Sequence, residues 1–125
     1  MPSPAETVEA FLARIGEPGG FVSAVRDWFT PETVYENIGI NRTVGIEDNV
    51  AFAEQFIASS GSVAIRIETL VAAVTGNRVL TERIDNLVNA AGETTMAIRV
   101  MGIFAVEDGK ITEWRDYFDT VPFNQ

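Results

Sequence analysis

Five polar residues have the types and the spacing of an acid–base site. Arg83 and Asp85 are two residues apart in one strand-like segment, Asp116 lies in another, and Tyr35 and Asn37 are two apart in a third. Side chains two positions apart in a β-strand share a face, and these faces are otherwise largely apolar. Because an unpaired buried carboxylate costs several kcal/mol, we expect these acids to be paired or functional.

Three interpretations of these faces are open on the pattern alone. The strands converge on an apolar cavity that holds a few polar groups, as small-molecule sites do. Alternatively, the charges lie on the solvent face of the sheet, with Glu82, Glu113 and Arg115 on the core side. In the third interpretation they form a structural ion pair, since the Arg83 guanidinium can contact two carboxylates at once.

The composition limits the chemistry. The 125 residues include no Cys and no His, and Lys110 is the only lysine. Thiolate, imidazole and Schiff-base mechanisms are therefore not expected, nor is a metal site, and acid–base work falls to Asp, Glu or Tyr. The formal charge of −9 argues against nucleic acid and anionic membranes as partners. With no recognisable signal peptide or membrane span, we expect a cytoplasmic protein.

The periodicity predicts three helices and five strands in one domain, 1–125. Ser3, Pro4 and Glu6 form a helix start with a capping box, and Asp108-Gly109 predicts a tight hairpin. The helices are predicted over 3–15, 21–29 and 46–58, and the strands over 33–38, 63–74, 78–89, 94–107 and 110–120, with a loop over 39–45 and a tail over 121–125.

This order predicts an α+β fold. The three helices lie in the N-terminal half and would cover one face of a curved, mainly antiparallel (mixed) sheet. Helices and sheet together would form a cone with a deep apolar pocket.

Three segments resemble the limonene-1,2-epoxide hydrolase family over most of the chain. They are 34–37 (Val-Tyr-Glu-Asn), 81–85 (Thr-Glu-Arg-Ile-Asp) and 109–119, and the last, which contains Trp-Arg-Asp, is the most specific. The resemblance implies a nuclear-transport-factor-2-like cone, a fold that also hosts ketosteroid isomerases and polyketide cyclases. Fold alone does not settle function.

The resemblance also implies an activity and a role for each polar residue. A cofactor-independent enzyme would add water to an epoxide and give a vicinal diol. Asp116 would be the general base, Tyr35 and Asn37 would hold the attacking water, and Asp85 would donate a proton to the epoxide oxygen. Arg83 would bridge the two aspartates.

The substrate implied is a small hydrophobic epoxide. Trp114 would orient the acid side of the site. The pocket wall is expected to comprise Trp114, Leu87, Met96, Ile98, Val100 and Phe118.

A homodimer through the outer face of the sheet is also implied. The charged residues on alternate outward positions could make this contact or could be solvated. They are Arg66, Glu68, Arg99, Glu113 and Arg115.

Two other functions are open. An isomerase or polyketide cyclase of the same fold would use Asp116 or Asp85 as the base on a carbon acid, with Tyr35 stabilising the oxyanion. A non-catalytic protein would use the pocket only to bind a hydrophobic ligand.

Overall fold

The computed structural model describes residues 1–123. Its helices are α1 (Pro4–Ile15), α2 (Gly20–Trp28) and α3 (Ile46–Ser60), and its strands are β1 (Phe29–Asn37), β2 (Asn41–Val44), β3 (Ala64–Thr75), β4 (Arg78–Val88), β5 (Thr94–Glu107) and β6 (Lys110–Tyr117), followed by a 3-10 turn at Val121–Phe123. Residues 124 and 125 of the predicted tail lie outside the described part.

Helix α1 begins as its sequence predicts. The Glu6 backbone N–H donates to the Ser3 hydroxyl at 3.1 Å, and the Ser3 N–H donates to the Glu6 carboxylate at 2.9 Å. Its apolar stripe, which includes Val8, Phe11 and Ile15, is buried against the inner face of the sheet. The capping box fixes where the helix starts, and burial of the stripe fixes which face it turns to the core.

The six strands form one open, mixed sheet in the order β2-β1-β6-β5-β4-β3. Strands β1 and β6 are parallel, and the other neighbouring pairs are antiparallel. The apolar sides of the helices and the inner face of the sheet share one hydrophobic core. The predicted α+β architecture, with three helices against a curved mixed sheet, is therefore confirmed.

The predicted start of the first strand, at residue 33, is wrong. Strand β1 begins at Phe29, directly after α2, and its pairing with β6 shifts register between Phe29 and Val34. Pro31 lies in this irregular stretch and cannot donate a ladder hydrogen bond. Thr33 compensates, since its hydroxyl donates to the Ile111 carbonyl at 2.6 Å.

The predicted loop over 39–45 contains strand β2, which the sequence analysis missed. Its four residues pair antiparallel with β1, placing Asn41 opposite Asn37. A strand this short carries no apolar run that would distinguish it from a loop. Gly39, with a φ of 83°, makes the tight turn that precedes it.

One row of inward-facing residues crosses the sheet and contains two of the five candidate polar residues. The register places Asn41, Asn37, Asp116, Gly102 and Thr81 in neighbouring positions of β2, β1, β6, β5 and β4. Residues far apart along the chain thus become lateral neighbours. Within 1–123, no helix is long and apolar enough to cross a membrane.

Candidate active site

The Arg83 guanidinium links Asp85 and Asp116 by two pairs of hydrogen bonds. Its Nη1 and Nη2 donate to the two carboxylate oxygens of Asp116 at 3.1 and 2.8 Å. Its Nε and Nη2 donate to those of Asp85 at 3.1 and 2.9 Å. Arg83 is completely buried, and Asp116 is 3% exposed. The planar guanidinium therefore holds the two carboxyl groups in a fixed relation.

The contact between Arg83 and Asp116 crosses a strand. Arg83 lies on β4 and Asp116 on β6, with β5 between them. The β5 residue beneath the contact is Gly102, and a Cβ atom there would meet both Arg83 Nη1 and Asp116 Oδ1. The Thr81 hydroxyl supports the same guanidinium, accepting from Nη1 at 3.1 Å.

Trp114 contacts the predicted base rather than the predicted acid. Its indole N–H donates to Asp116 Oδ1 at 2.7 Å. The expectation that Trp114 orients the acid side is wrong, because Trp114 and Asp116 share the inner face of β6 two positions apart. Asp116 consequently accepts three N–H donors, two from Arg83 and one from Trp114.

Tyr35 and Asn37 lie beside the aspartate on the neighbouring strand. Asn37 is opposite Asp116 in the parallel pairing of β1 with β6, and Tyr35 is opposite Trp114. The rings of Tyr35 and Trp114 are stacked with centroids 4.0 Å apart. The Tyr35 hydroxyl donates to Asn37 Oδ1 at 3.3 Å. The structure thus brings all five predicted polar residues together.

Burial and charge determine the protonation of the site. Burial raises the pKa of Asp116, and the Arg83 guanidinium and the Trp114 N–H oppose that rise. Burial alone would lower the pKa of Arg83, but the carboxylates of Asp116 and Asp85 outweigh it, so the pKa is raised and the guanidinium stays cationic. Burial, then the charge of Asp116, raises the pKa of Tyr35. Its hydroxyl stays protonated.

A cavity of about 250 Å³ opens beside the two acids. Asp85, Asp116, Tyr35 and Asn37 are the polar residues of its wall. Arg83 lies behind that wall rather than in it. Most of the surface is hydrocarbon, as in a typical small-molecule site.

Most of the predicted apolar wall lines this cavity. Trp114, Leu87, Ile98, Val100 and Phe118 are lining residues, whereas Met96 is not. Met96 faces inward as predicted, but it packs against the core near the start of β5. Its inclusion in the pocket is therefore wrong.

The residue alternation in the strands did not predict the helical and terminal parts of the wall. Phe52 and Phe56 of α3 line the cavity, with Ile40 from the β1–β2 turn and Phe123 from the 3-10 turn. Phe56 lies on the apolar stripe of α3, and period alone does not distinguish a cavity-lining residue from a core residue.

The solvent-face interpretation of the charged strands is wrong. Arg83 and Asp116 are buried on the inner face, and Glu82, Glu113 and Arg115 are half-buried on the outer face. The purely structural ion-pair interpretation does not account for the carboxyl groups on the cavity wall. Within 1–123, no three His, Cys, Asp or Glu residues are grouped closely enough to hold a metal ion.

Comparison with known families agrees with this geometry. Residues 2–124 match the family described as the limonene-1,2-epoxide hydrolase catalytic domain. The chain belongs to the limonene-1,2-epoxide hydrolase family. The sequence resemblance is therefore confirmed, and it includes the strands that carry the linked aspartates.

A curated protein and a solved structure that are similar to this limonene-1,2-epoxide hydrolase family member both carry epoxide hydrolase names. Epoxide hydrolase EphG of Mycobacterium tuberculosis is 36% identical over 88 residues, which cover 70% of this chain and 56% of EphG. A solved LEH-like epoxide hydrolase from M. tuberculosis is 32% identical, with a TM-score of 0.71, over 94% of this chain and 83% of that chain. The match thus spans little more than half of EphG.

More distant structures share the fold of this limonene-1,2-epoxide hydrolase family member. A polyketide-cyclase-like protein from Shewanella putrefaciens has a TM-score of 0.78 at 13% identity, over 99% of this chain and 84% of its own. A protein from Catenulispora acidiphila with a ketosteroid-isomerase-like fold has a TM-score of 0.76 at 18% identity, over 94% of this chain and 88% of its own. At such identities the likeness shows the fold alone.

Proposed function

We propose that this protein is a cofactor-independent epoxide hydrolase that converts a small hydrophobic epoxide and water into a vicinal diol. The observation that carries the proposal is the pair of carboxyl groups, linked by one buried guanidinium, on the wall of an apolar cavity. Family membership supports the same reaction. We propose that the whole chain, 1–125, acts as one such domain; its cytoplasmic location stays a prediction from the sequence.

The reaction proceeds in one step between the two aspartates. Asp116 takes a proton from a water molecule held by Tyr35 and Asn37, and the water oxygen forms a bond to one epoxide carbon. The bond from that carbon to the epoxide oxygen breaks, and Asp85 gives its proton to that oxygen. The diol leaves, and water returns a proton to Asp85 while Asp116 loses its own. Arg83 keeps the two carboxyl groups in place throughout.

Charge balance supports this division of roles. One guanidinium and two carboxyl groups are electrically neutral together when one carboxyl group holds a proton, and a buried net charge is costly. Asp116 accepts three N–H donors and Asp85 accepts two, so hydrogen bonds to Asp116 favour its carboxylate form and act against the rise in pKa that its burial causes. Its raised pKa makes Asp116 a stronger base once it is ionised.

The outer face of the sheet supports a homodimer. Four apolar residues of neighbouring strands are substantially exposed there: Leu70, Leu80, Met101 and Tyr117. Exposed apolar residues grouped on one face of a sheet are typical of an interaction site. We propose that a second copy of the chain covers this face, with the outward charged residues at its margin, including the half-exposed pair of Arg78 and Glu113.

Turnover in labelled water tests the activity. Terpene, cyclohexene and styrene epoxides are incubated with the protein in ¹⁸O-water, and the diols are analysed by mass spectrometry and chiral chromatography. We expect one labelled oxygen, with inversion at the attacked carbon. An isomerase or cyclase would give no labelled diol, and a binding protein would retain these compounds without turnover; either result would overturn the proposal.

Isosteric variants test the assigned roles in the same assay. Asp116→Asn and Asp85→Asn each remove one proton-transfer group, so we expect turnover to fall by at least about a thousandfold. Asp119→Asn is the matched control, because Asp119 is exposed. Within the described residues, its carboxylate accepts a hydrogen bond only from the nearby Val121 N–H. Ordinary activity of Asp116→Asn would show that the base is another group.

A further inference from the structure

We propose that Asn41 is a positioning residue, which determines whether Asn37 presents its oxygen or its nitrogen to the attacking water. This inference rests on the proposed function, because it concerns the water that Asn37 would hold. It assigns a role to strand β2, none of whose side chains bonds the linked carboxyl groups within 1–123.

The two amides are in direct contact. Asn37 Nδ2 donates to Asn41 Oδ1 at 3.1 Å, and Asn37 Oδ1 accepts from the Tyr35 hydroxyl at 3.3 Å. Asn37 is 8% exposed. A buried amide has a donor end and an acceptor end of almost equal size, so its hydrogen-bond partners decide its orientation. Here the acceptor on Asn41 takes the donor end of Asn37.

Asn41 keeps this orientation at a cost. Its own Nδ2 is buried and has no hydrogen-bond partner among the protein atoms. A buried donor left unpaired costs about 1–3 kcal/mol. If both amides were turned over, Asn41 Nδ2 would donate to Asn37 Oδ1, and Asn37 would turn its own Nδ2 toward Tyr35, so the end that Asn41 presents sets the end that Asn37 presents. The arrangement present instead keeps Asn37 Oδ1 toward Tyr35 and the cavity.

The backbone that carries Asn41 is firmly held. Asn41 is opposite Asn37 in the β1–β2 ladder. Farther along β2, the Thr43 hydroxyl donates to Asn49 Oδ1 at 2.6 Å, and Asn49 Nδ2 donates to the Gly45 carbonyl at 2.6 Å. Asn49 belongs to α3 and is 1% exposed. Strand β2 is thus tied to a buried helix residue, which holds in place the backbone that carries Asn41.

The orientation of Asn37 matters for the chemistry. A water molecule that gives one proton to Asp116 and directs the other to Asn37 Oδ1 keeps a lone pair free for the epoxide carbon. If Asn37 presented Nδ2 instead, that N–H would donate to one of the two lone pairs of the water oxygen and make the oxygen a weaker nucleophile. Losing the Asn41 acceptor should therefore slow the chemical step more than it weakens substrate binding.

Two variants of similar size distinguish the effect of the Asn41 hydrogen-bond acceptor from the effect of its side-chain volume. Asn41→Leu removes the acceptor, and we expect kcat to fall about tenfold or more while KM changes by less than about twofold. Asn41→Asp keeps an acceptor and removes the unpaired donor, so we expect it to recover most of the lost kcat, measured on the plateau of the pH profile. Arg42→Gln, an exposed neighbour on β2, is the control for general disturbance of the strand.

A double-mutant cycle with Asn37→Ala completes the test. If Asn41 acts through Asn37, Asn41→Leu should have almost no further effect on kcat once Asn37 is truncated. Full activity of Asn41→Leu, additive effects of the two changes, or equal losses for Asn41→Leu and Asn41→Asp would each overturn the positioning role. Failure of the proposed function is recognised separately, because the unaltered protein would then not hydrolyse epoxides or Asn37→Ala would be fully active.

Discussion

Gly102 lies beneath the guanidinium of Arg83, where that side chain crosses β5 to reach Asp116. A methyl group on Gly102 would meet both Arg83 Nη1 and Asp116 Oδ1. Its backbone φ is not in the left-handed region, so the absence of a side chain, and not an unusual backbone conformation, makes glycine necessary here. Two strands that are not neighbours can share an ion pair because the strand between them offers an open position.

Gly102→Ala should therefore separate the two carboxyl groups. Either the guanidinium or the Asp116 carboxylate must move, and both are packed within a buried network. We expect turnover to fall by about a hundredfold or more and the free energy of unfolding to fall by about 1–3 kcal/mol. Ala97→Ser, at an exposed outward position of β5, should change neither. Activity near normal in Gly102→Ala would show that the linkage across β5 is dispensable.

Arg83→Met should be far more destabilising than loss of a surface arginine. At neutral pH it would leave two largely buried carboxyl groups without their cation, which costs about 3–5 kcal/mol. This loss in the free energy of unfolding should shrink as the pH falls, because protonation neutralises the buried Asp116 carboxylate. Denaturant unfolding at several pH values measures it.

Arg78→Met is the matched control for this loss. Arg78 pairs with Glu113 at 3.2 Å, but both side chains are about 40% exposed, so the expected cost is about 0–1 kcal/mol. Equal destabilisation by the two variants would contradict the buried-network account.

The outer apolar face gives a prediction about assembly. Met101→Arg places a charge among Leu70, Leu80 and Tyr117, so we expect it to convert a dimer into a monomer of 13.6 kDa in sedimentation equilibrium. Val121→Arg changes an even more exposed apolar residue outside the sheet and should leave the mass of the assembly unaltered. A monomeric unaltered protein would refute the dimer directly.

The local alternation of residues in each strand is enough to predict which polar side chains face inward. Arg83, Asp85 and Asp116 follow the two-residue period of β4 and β6, so their common face could be predicted without knowing which strands are neighbours. The same rule correctly placed Met96 on the inner face. It could not show that Met96 lies beyond the cavity, because the extent of a cavity depends on the helices and turns around it.

Contacts across the sheet could not be predicted in this way. The role of Gly102 depends on β5 lying between β4 and β6, and the contact of Asn41 with Asn37 depends on the register of a four-residue strand. Register is set by turns and by the packing of the whole sheet, which no single segment encodes. Trp114 shows the same limit on a smaller scale, since only the side-chain geometry places its N–H on Asp116.

The Trp114 N–H gives a prediction about pH. The base must be ionised to accept a proton, so kcat/KM should fall on the acid side as Asp116 becomes protonated, with a midpoint above the usual aspartate value of 3.8 because burial raises its pKa. Trp114→Phe keeps an aromatic ring against Tyr35 but removes the N–H donor, which acts to lower that pKa. The acid limb should therefore move to higher pH, with a partial recovery of rate at pH values well above the new midpoint. Trp28→Phe, on α2 and away from the carboxyl groups, should leave the limb in place, and an unmoved limb in Trp114→Phe would mean that the titrating group is not Asp116.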